Sequence, residues 1–265
     1  MSTNNTIFNI ETINRYANMP VFAYDEIDST NSAARRFLEE EADKAGIYES
    51  LFVADFQSAG RGRSGHSFYS PSHTGIYMSY FFTPKDGLML ASYATTKAAV
   101  VARKVLEESY GVNVGIKWIN DLYVNNRKVS GILAEAHITG VNKGSVIVGI
   151  GINLTTEDFP DDIKSRAGSL AAMIDSKLLP SREEVIGKIA AGFSKEMADL
   201  SDKRYLEEYR RHCIILGKDI SYEENGISCK AHAIDIADDA GLIVKMPDGS
   251  VRSLKSGEVS LIRTI

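Results

Sequence analysis

Residues 146 to 153 read Val-Ile-Val-Gly-Ile-Gly-Ile-Asn, and strand alternation sorts them onto two faces. Val146, Val148, Ile150 and Ile152 fall on one face; Ile147, Gly149, Gly151 and Asn153 fall on the other. Alternate glycines weaken a strand and are kept where a ligand or another backbone must come close, although a tight helix–sheet contact would use them equally well. Gly131, in "KVSGILAE", adds a third glycine on a neighbouring strand. In "VGIKWI" the same sorting places Ile116 and Trp118 on one face and Gly115, Lys117 and Ile119 on the other. The sole tryptophan reads as core, so Lys117 points away from the core. A lysine inside an apolar strand costs free energy unless an anion meets it.

The pattern lays out the remaining elements. "VFAYDEI" is a short strand, followed by a turn and a helix that begins among Asp28, Ser29, Thr30 and Asn31, all good capping residues, and runs on to Gly46. "LFVADF" (51 to 56) and "GIYMSYFF" (75 to 82) are strands flanking a long loop. Residues 88 to 111 predict an alanine-rich helix closed by Gly111. "VGIKWI", "LYVNNRKVSGILAEAHI" and "SVIVGIGINL" follow through Asn-Asn and Asn-Lys-Gly turns too short for crossover helices, which predicts antiparallel neighbours. Residues 182 to 212 read as helical, with Gly187 and Gly192 as weak points and a break near 200 to 202. After Cys213, short strands and tight turns at even spacing predict a small β-barrel. The expected fold is α+β: a mixed, largely antiparallel sheet packed with helices over residues 1 to 212, and the barrel over 213 to 265.

Composition narrows the class. The 265 residues are 44% hydrophobic and 25% charged, as in an ordinary globular protein able to bury a core. No apolar run approaches the ~20 residues that span a bilayer, and the N-terminus has no secretory pattern. The net charge of -5 argues against general affinity for nucleic acid. Two cysteines, Cys213 and Cys229, make no disulfide framework, and a cytoplasmic home is expected. The five histidines show no metal-ligand spacing, so no resident metal is expected; His66 alone falls in the loop that matters most.

That loop is "FQSAGRGRSGHSFYSP" (56 to 71), where Gly60, Gly62 and Gly65 spell G-x-G-x-x-G around Arg61 and Arg63. A dinucleotide-binding glycine loop must run directly into a helix. Here "HSFYSPSHTG" follows, and Asp86, near the expected acidic offset, sits in the turn-like "TPKDG". The loop therefore joins glycine and arginine for another purpose.

Five ordered segments resemble the biotin–protein ligases: "DSTN" (28 to 31), "QSAGRGRSG" (57 to 65), "KWIND" (117 to 121), "KVSGILAE" (128 to 135) and "GIGIN" (149 to 153). The tail ending in "SGEVS" is similar to the family's C-terminal SH3-like barrel. Two departures stand out: Ile119 replaces the usual proline, which is expected to loosen that strand end, and Phe68 replaces the usual tryptophan. The resemblance implies a class II synthetase-like catalytic domain. It also implies two half-reactions: activation of biotin by ATP as biotinyl-5'-AMP, then transfer to a lysine of a biotin carboxyl carrier protein. Mg²⁺ would accompany the phosphates. Lys117, Arg61 and Arg63 are the implied catalytic cations, set against the repulsion between a carboxylate and a polyanion. Biotin would meet Ser29, Thr30, Asn31, Gln57, Arg61, Gly62, Arg63 and Lys117 over a floor of Gly131, Gly149 and Gly151. The nucleotide would meet Gly60, Arg61, Arg63, Lys117, Asn120 and Asn153. Loop glycines would allow opening and arginines would give closure an anion to hold, so the loop is expected to be mobile without ligand and ordered by the adenylate.

Two rivals stand beside this reading. A lipoyl- or octanoyl-protein ligase shares the fold, but its R-R-x-[ST]-G-G-G segment is missing here. A biotin-sensing regulator would need a DNA reader, and only ~20 residues precede the first strand, fewer than a three-helix reader uses. A monofunctional ligase is therefore expected, with no nucleic-acid or membrane partner and with a homodimer through the catalytic sheet left open.

Overall fold

The computed structural model describes residues 7–40, 46–85, 87–140, 143–174, 179–224 and 226–262. The far end of the helix expected to reach Gly46 (41 to 45), Asp86, and Asn142 of the Asn-Lys-Gly turn lie outside the described residues.

A short helix α1 (Ile10–Asn14) leads into strand β1 (Val21–Ile27), helix α2 (Thr30–Glu40) and strand β2 (Glu49–Gln57). The helical connection lets β1 and β2 pair in parallel, with Val21 opposite Leu51. The other pairs of neighbouring strands among the described residues are antiparallel. Strands β3 (Gly75–Phe82), β4 (Gly115–Lys117), β5 (Asp121–Val124), β6 (Arg127–Gly140) and β7 (Lys143–Asn153) complete a seven-stranded sheet in the order β1-β2-β3-β7-β6-β5-β4. The β5–β6 hairpin turns on Asn125 (φ 48°) and Asn126 (φ 62°), the positive pair that a two-residue hairpin favours.

Helix α3 (Tyr93–Tyr110) starts five residues later than expected, after a 3-10 turn at Leu88–Leu90, and ends on Gly111 at φ 66°. A single turn α4 (Asp161–Lys164) follows the sheet. The helical stretch at 182 to 212 breaks as expected, into α5 (Arg182–Met197) and α6 (Tyr205–His212). At Gly187 and Gly192 the helix nonetheless runs on unbroken. A Cβ at Gly187 would lie 2.7 Å from the Ile13 carbonyl oxygen, and one at Gly192 would lie 2.5 Å from Val101 Cγ1, so both let neighbouring helices approach. The last five strands, β8 (Asp219–Glu224), β9 (Ile227–Ile236), β10 (Leu242–Lys245), β11 (Val251–Leu254) and β12 (Val259–Leu261), form an antiparallel sheet in the order β11-β10-β9-β8-β12.

The two faces of the large sheet are covered differently, and this creates the site. Val146, Val148, Ile150 and Ile152 join the main core with α3 and α5. That core continues into the second sheet through Ile215, Ile236 and Leu242, and Trp118 Nε1 donates to Ala240 O across the junction at 2.9 Å. On the opposite face α2 lays Phe37 over Phe22, Phe52, Phe81 and Ile147. Burying each such side chain contributes roughly 1.5–3 kcal/mol. Beyond Ile147 the same face of β7 offers only Gly149, Gly151 and Asn153, so the aromatic layer stops and a hollow begins. No helix among the described residues is long and apolar enough to cross a membrane.

Gly187→Ala gains about 1 kcal/mol of helix propensity. Overpacking against the Ile13 carbonyl costs about 1–3 kcal/mol. The variant is expected to show a lower urea midpoint than the parent; an unchanged or higher midpoint would show that α1 yields freely.

Candidate active site

The hollow is a cleft of about 350 Å³. One wall is built where β1 passes into α2. The Asp28 carboxylate accepts the Ser29 N–H at 2.7 Å and binds Arg36 through two bonds of 2.8 and 2.9 Å, and this pairing holds its pKa below the ordinary value. Thr30 N–H donates to Gln57 Oε1 at 2.8 Å, so a side chain at the end of β2 satisfies the first turn of the helix. Gln57 Nε2 in turn donates to Ser70 Oγ at 2.9 Å. Ser79 Oγ, on β3, lies 2.7 Å from Thr30 Oγ1 and 2.6 Å from Asn31 Oδ1. Ser29, Thr30 and Asn31 are all buried, and each lines the cleft with Gln57.

The glycine–arginine loop forms a second wall, and no helix of the dinucleotide-binding kind follows it. It folds into a small hairpin, Gly62 N–H to His66 O at 2.7 Å and Phe68 N–H to Gly60 O at 2.9 Å, turning through Ser64 (φ 52°) and Gly65 (φ 78°). Arg61 Nη2 pairs with Glu135 Oε1 at 3.0 Å, and Arg63 Nη1 donates to Asn120 Oδ1 at 3.1 Å. Arg61, Gly62, Arg63 and His66 line the cleft. Gly60 does not: it packs beneath the Phe68 carbonyl, where a Cβ would come within 2.3 Å of that oxygen.

Lys117 enters from β4. Burial is the main cause of its pKa falling below the ordinary 10.5; Asp121 and Glu258 oppose the shift, while Lys128 and Arg166 add to it. Its Nζ sits 5.8 Å from the Tyr123 ring centre. The Trp118–Ile119 peptide is cis, and Ile119 O accepts from Tyr209 Oη at 3.0 Å, so this strand end is tied to α6 rather than loose. Asn120 Nδ2 donates to Ile132 O at 2.8 Å, and Asn153 Nδ2 donates to Gly168 O at 3.1 Å; both residues line the cleft.

The glycines admit side chains of this chain itself. A Cβ on Gly149 would lie 2.0 Å from Asn31 Oδ1, and one on Gly151 would lie 2.4 Å from Phe68 Cε1; the same ring reaches Gly131. Phe68 therefore covers two of the three floor positions.

Three further groups lay beyond the sequence reading. Lys128 lines the cleft, its Nζ 2.7 Å from Asp121 Oδ1. Strict alternation from Gly131 would send Val129 to the cleft and Lys128 to the core. A register shift in the β5–β6 pairing reverses them, leaving Val129 fully buried. Arg166 lines the cleft because segment 166 to 168 pairs with Lys128, its carbonyl accepting the Lys128 N–H at 2.8 Å. Gly257, Glu258, Val259 and Ser260 close the rim from the second sheet. Lys128 and Glu258 lay within quoted segments; Arg166 had no periodic signal.

Fold and cleft together define a mixed-sheet protein that gathers cations above a glycine floor, beside a neutral hydrogen-bonding wall. Residues 24–153 match the Biotin/lipoate A/B protein ligase family. The bifunctional ligase/repressor BirA of Bacillus spizizenii is 30% identical over 242 residues, covering 89% of this chain and 72% of that protein. BirA of Bacillus subtilis is 29% identical over 243 residues, covering 90% and 73%. The biotin protein ligase of Aquifex aeolicus, solved in complex with biotin and ATP, superposes with a TM-score of 0.74 at 28% identity, covering 92% of this chain and 99% of that one. The chain belongs to the biotin/lipoate protein ligase family.

Gly149→Ala is expected to drive Asn31 off Ser79 and Glu135, since the added carbon would overlap Asn31 Oδ1. Breaking these bonds costs about 1–3 kcal/mol, so the melting temperature should fall by several degrees, about 2–4 °C per kcal/mol. A crystal structure of the variant with Asn31 unmoved would contradict this.

Proposed function

We propose that this chain is a biotin–protein ligase. A carboxylate oxygen of biotin attacks the α-phosphorus of ATP, forming the acyl–phosphate bond of biotinyl-AMP and releasing pyrophosphate. A lysine amine of a biotin carboxyl carrier protein then attacks the acyl carbon, loses a proton, and displaces AMP. The observation that carries the proposal is the convergence of Lys117, Lys128, Arg61, Arg63 and Arg166 on one cleft whose other wall is the neutral Ser29–Thr30–Asn31–Gln57 set.

The first step must bring a carboxylate to a polyphosphate. Cations fixed in advance offset that repulsion without reorganising during the reaction. Lys117 and Lys128 supply point charges from β4 and β6, which flank β5; Arg61 and Arg63 supply forks from the loop. The neutral wall suits an uncharged ureido ring, and Asn120 and Asn153 suit the nucleotide. Gly60 serves the loop's fold rather than touching the ligand. Among the described residues no group of three or more His, Cys, Asp or Glu side chains is arranged to hold a metal ion. Mg²⁺ belongs to this proposal as the counter-ion that ATP carries on its phosphates.

We assign residues 1 to 212 to the catalytic domain and 213 to 265 to a C-terminal domain that contributes the rim. The names of the relatives favour biotin over lipoate as the acid. Cytoplasmic activity and a homodimer through the large sheet belong to the same proposal. Intact-mass analysis of a carrier domain after incubation with biotin, ATP and Mg²⁺ tests the function. A biotinyl adduct on one lysine is expected; an adduct with lipoate alone would move the assignment to a lipoyl ligase.

Lys117→Gln and Lys128→Gln should each lower biotin-dependent ATP–pyrophosphate exchange by about 10²–10³-fold. Because burial lowers the Lys117 pKa, its ammonium loses its proton at lower pH than an exposed lysine, and exchange should fall on the alkaline side. Lys117→Arg, which keeps its charge, should shift that fall to higher pH; an unmoved profile would separate Lys117 from the alkaline limb. Arg63→Ala should release more free adenylate in the absence of acceptor, measured as AMP formed per pyrophosphate; unchanged release would remove the loop arginine from intermediate retention.

A further inference from the structure

Three side chains, two from α2 and one from the loop, converge on the carboxylate of Glu135. It sits on β6 with its side chain 17% exposed. Its Oε2 accepts from Asn31 Nδ2 at 2.8 Å, and its Oε1 accepts from Arg35 of α2 at 2.9 Å and forms an ion pair with Arg61 of the loop at 3.0 Å. Nothing in the reaction proposed above uses it.

A carboxylate accepts hydrogen bonds and donates none, so its position dictates which way the neighbouring amide faces. With Nδ2 of Asn31 turned to Glu135 and towards Leu133 O, Oδ1 must face Ser79 and can only accept. The single Ser79 proton has two acceptors within reach, Asn31 Oδ1 at 2.6 Å and Thr30 Oγ1 at 2.7 Å, and the amide oxygen that Glu135 holds in place draws it away from Thr30. Thr30, whose own proton goes to Gln57 Oε1 at 3.2 Å, then keeps a lone pair free for the cleft. One negative charge outside the neutral wall thus orders donors and acceptors along a chain of four side chains.

We infer that Glu135 is a positioning residue: it fixes the hydrogen-bond polarity of the Asn31–Ser79–Thr30 chain, so that the cleft offers an acceptor to an N–H of a cyclic urea. Through Arg61 the same carboxylate ties that wall to the loop. The inference rests on the biotin reading and deepens it, since a ureido ring presents two N–H donors and one carbonyl acceptor at defined positions.

The polarity can be inverted and restored. In Glu135→Gln, the new amide either turns its NH₂ to Arg35 and Arg61 or turns it to Asn31, which forces Asn31 to flip and takes the Ser79 proton away from it. Asn31→Asp places two carboxylates together. In the double variant the Gln amide donates to the Asp carboxylate, whose other oxygen still accepts from Ser79, and the original direction returns. With full-length chain in ATP–pyrophosphate exchange, each single variant should raise the biotin KM by about tenfold or more while the ATP KM moves little, and the double variant should lie below both singles. Circular dichroism melts accompany each variant, and the comparison of the double with Asn31→Asp holds even if Glu135→Gln folds poorly. A double variant no better than the singles, or a Glu135→Gln variant with the parental biotin KM, overturns the inference while leaving the ligase reading intact. A parent chain that shows no biotin-dependent exchange overturns the ligase reading and the inference with it.

Discussion

Like charges gathered in a small volume repel, and the architecture of this site answers that constraint. Lys117, Lys128, Arg166, Arg61 and Arg63 all border one cleft. Most are held by a partner: Lys128 by Asp121, Arg61 by Glu135, Arg63 by the amide of Asn120. Lys117 has no carboxylate within ion-pair distance among the described residues, and its depressed pKa reflects both burial and the neighbouring cations. A half-buried ammonium beside other cations is costly to the protein, and an arriving anion is favoured because its charge removes a penalty already present.

The scaffold that maintains this tension is unequal by design of its strands. One face of the large sheet is covered continuously by helices, and the other only as far as α2 extends. The switch from Ile147 to Gly149 and Gly151 along β7 ends the aromatic layer and opens the floor without any change in backbone course. Fixed at its base by the Gly60 contact and at its tip by Arg61 and Arg63, the loop lies across this opening with Phe68 upon the glycines. Trp118, buried against the second sheet, anchors the strand that presents Lys117.

Where a side chain's direction follows from simple alternation, the sequence was readable. The faces of β7, the core position of Trp118 and the outward course of Lys117 all follow from period two. Lys128 escaped because one irregular pairing reverses the alternation on β6, and no composition rule signals a bulge there. Arg166 escaped because its place depends on backbone pairing of an irregular segment with β6. Glu135 was visible as a letter in a recognised segment, but its three partners come from α2 and the loop, elements distant in the chain. The glycines were read as room for a ligand, and in this structure their space is taken by Asn31 and Phe68. Local periodicity reports faces; it does not report which remote group will fill them.

The rim formed by residues 257 to 260 comes from the second sheet, whereas Lys117 and Lys128 come from the large one. The width of the cleft is therefore set by how the two sheets meet, and the bond from Trp118 Nε1 to Ala240 O lies at that junction. Ala240 borders no part of the cleft, yet a shift there would move one side of the pocket against the other.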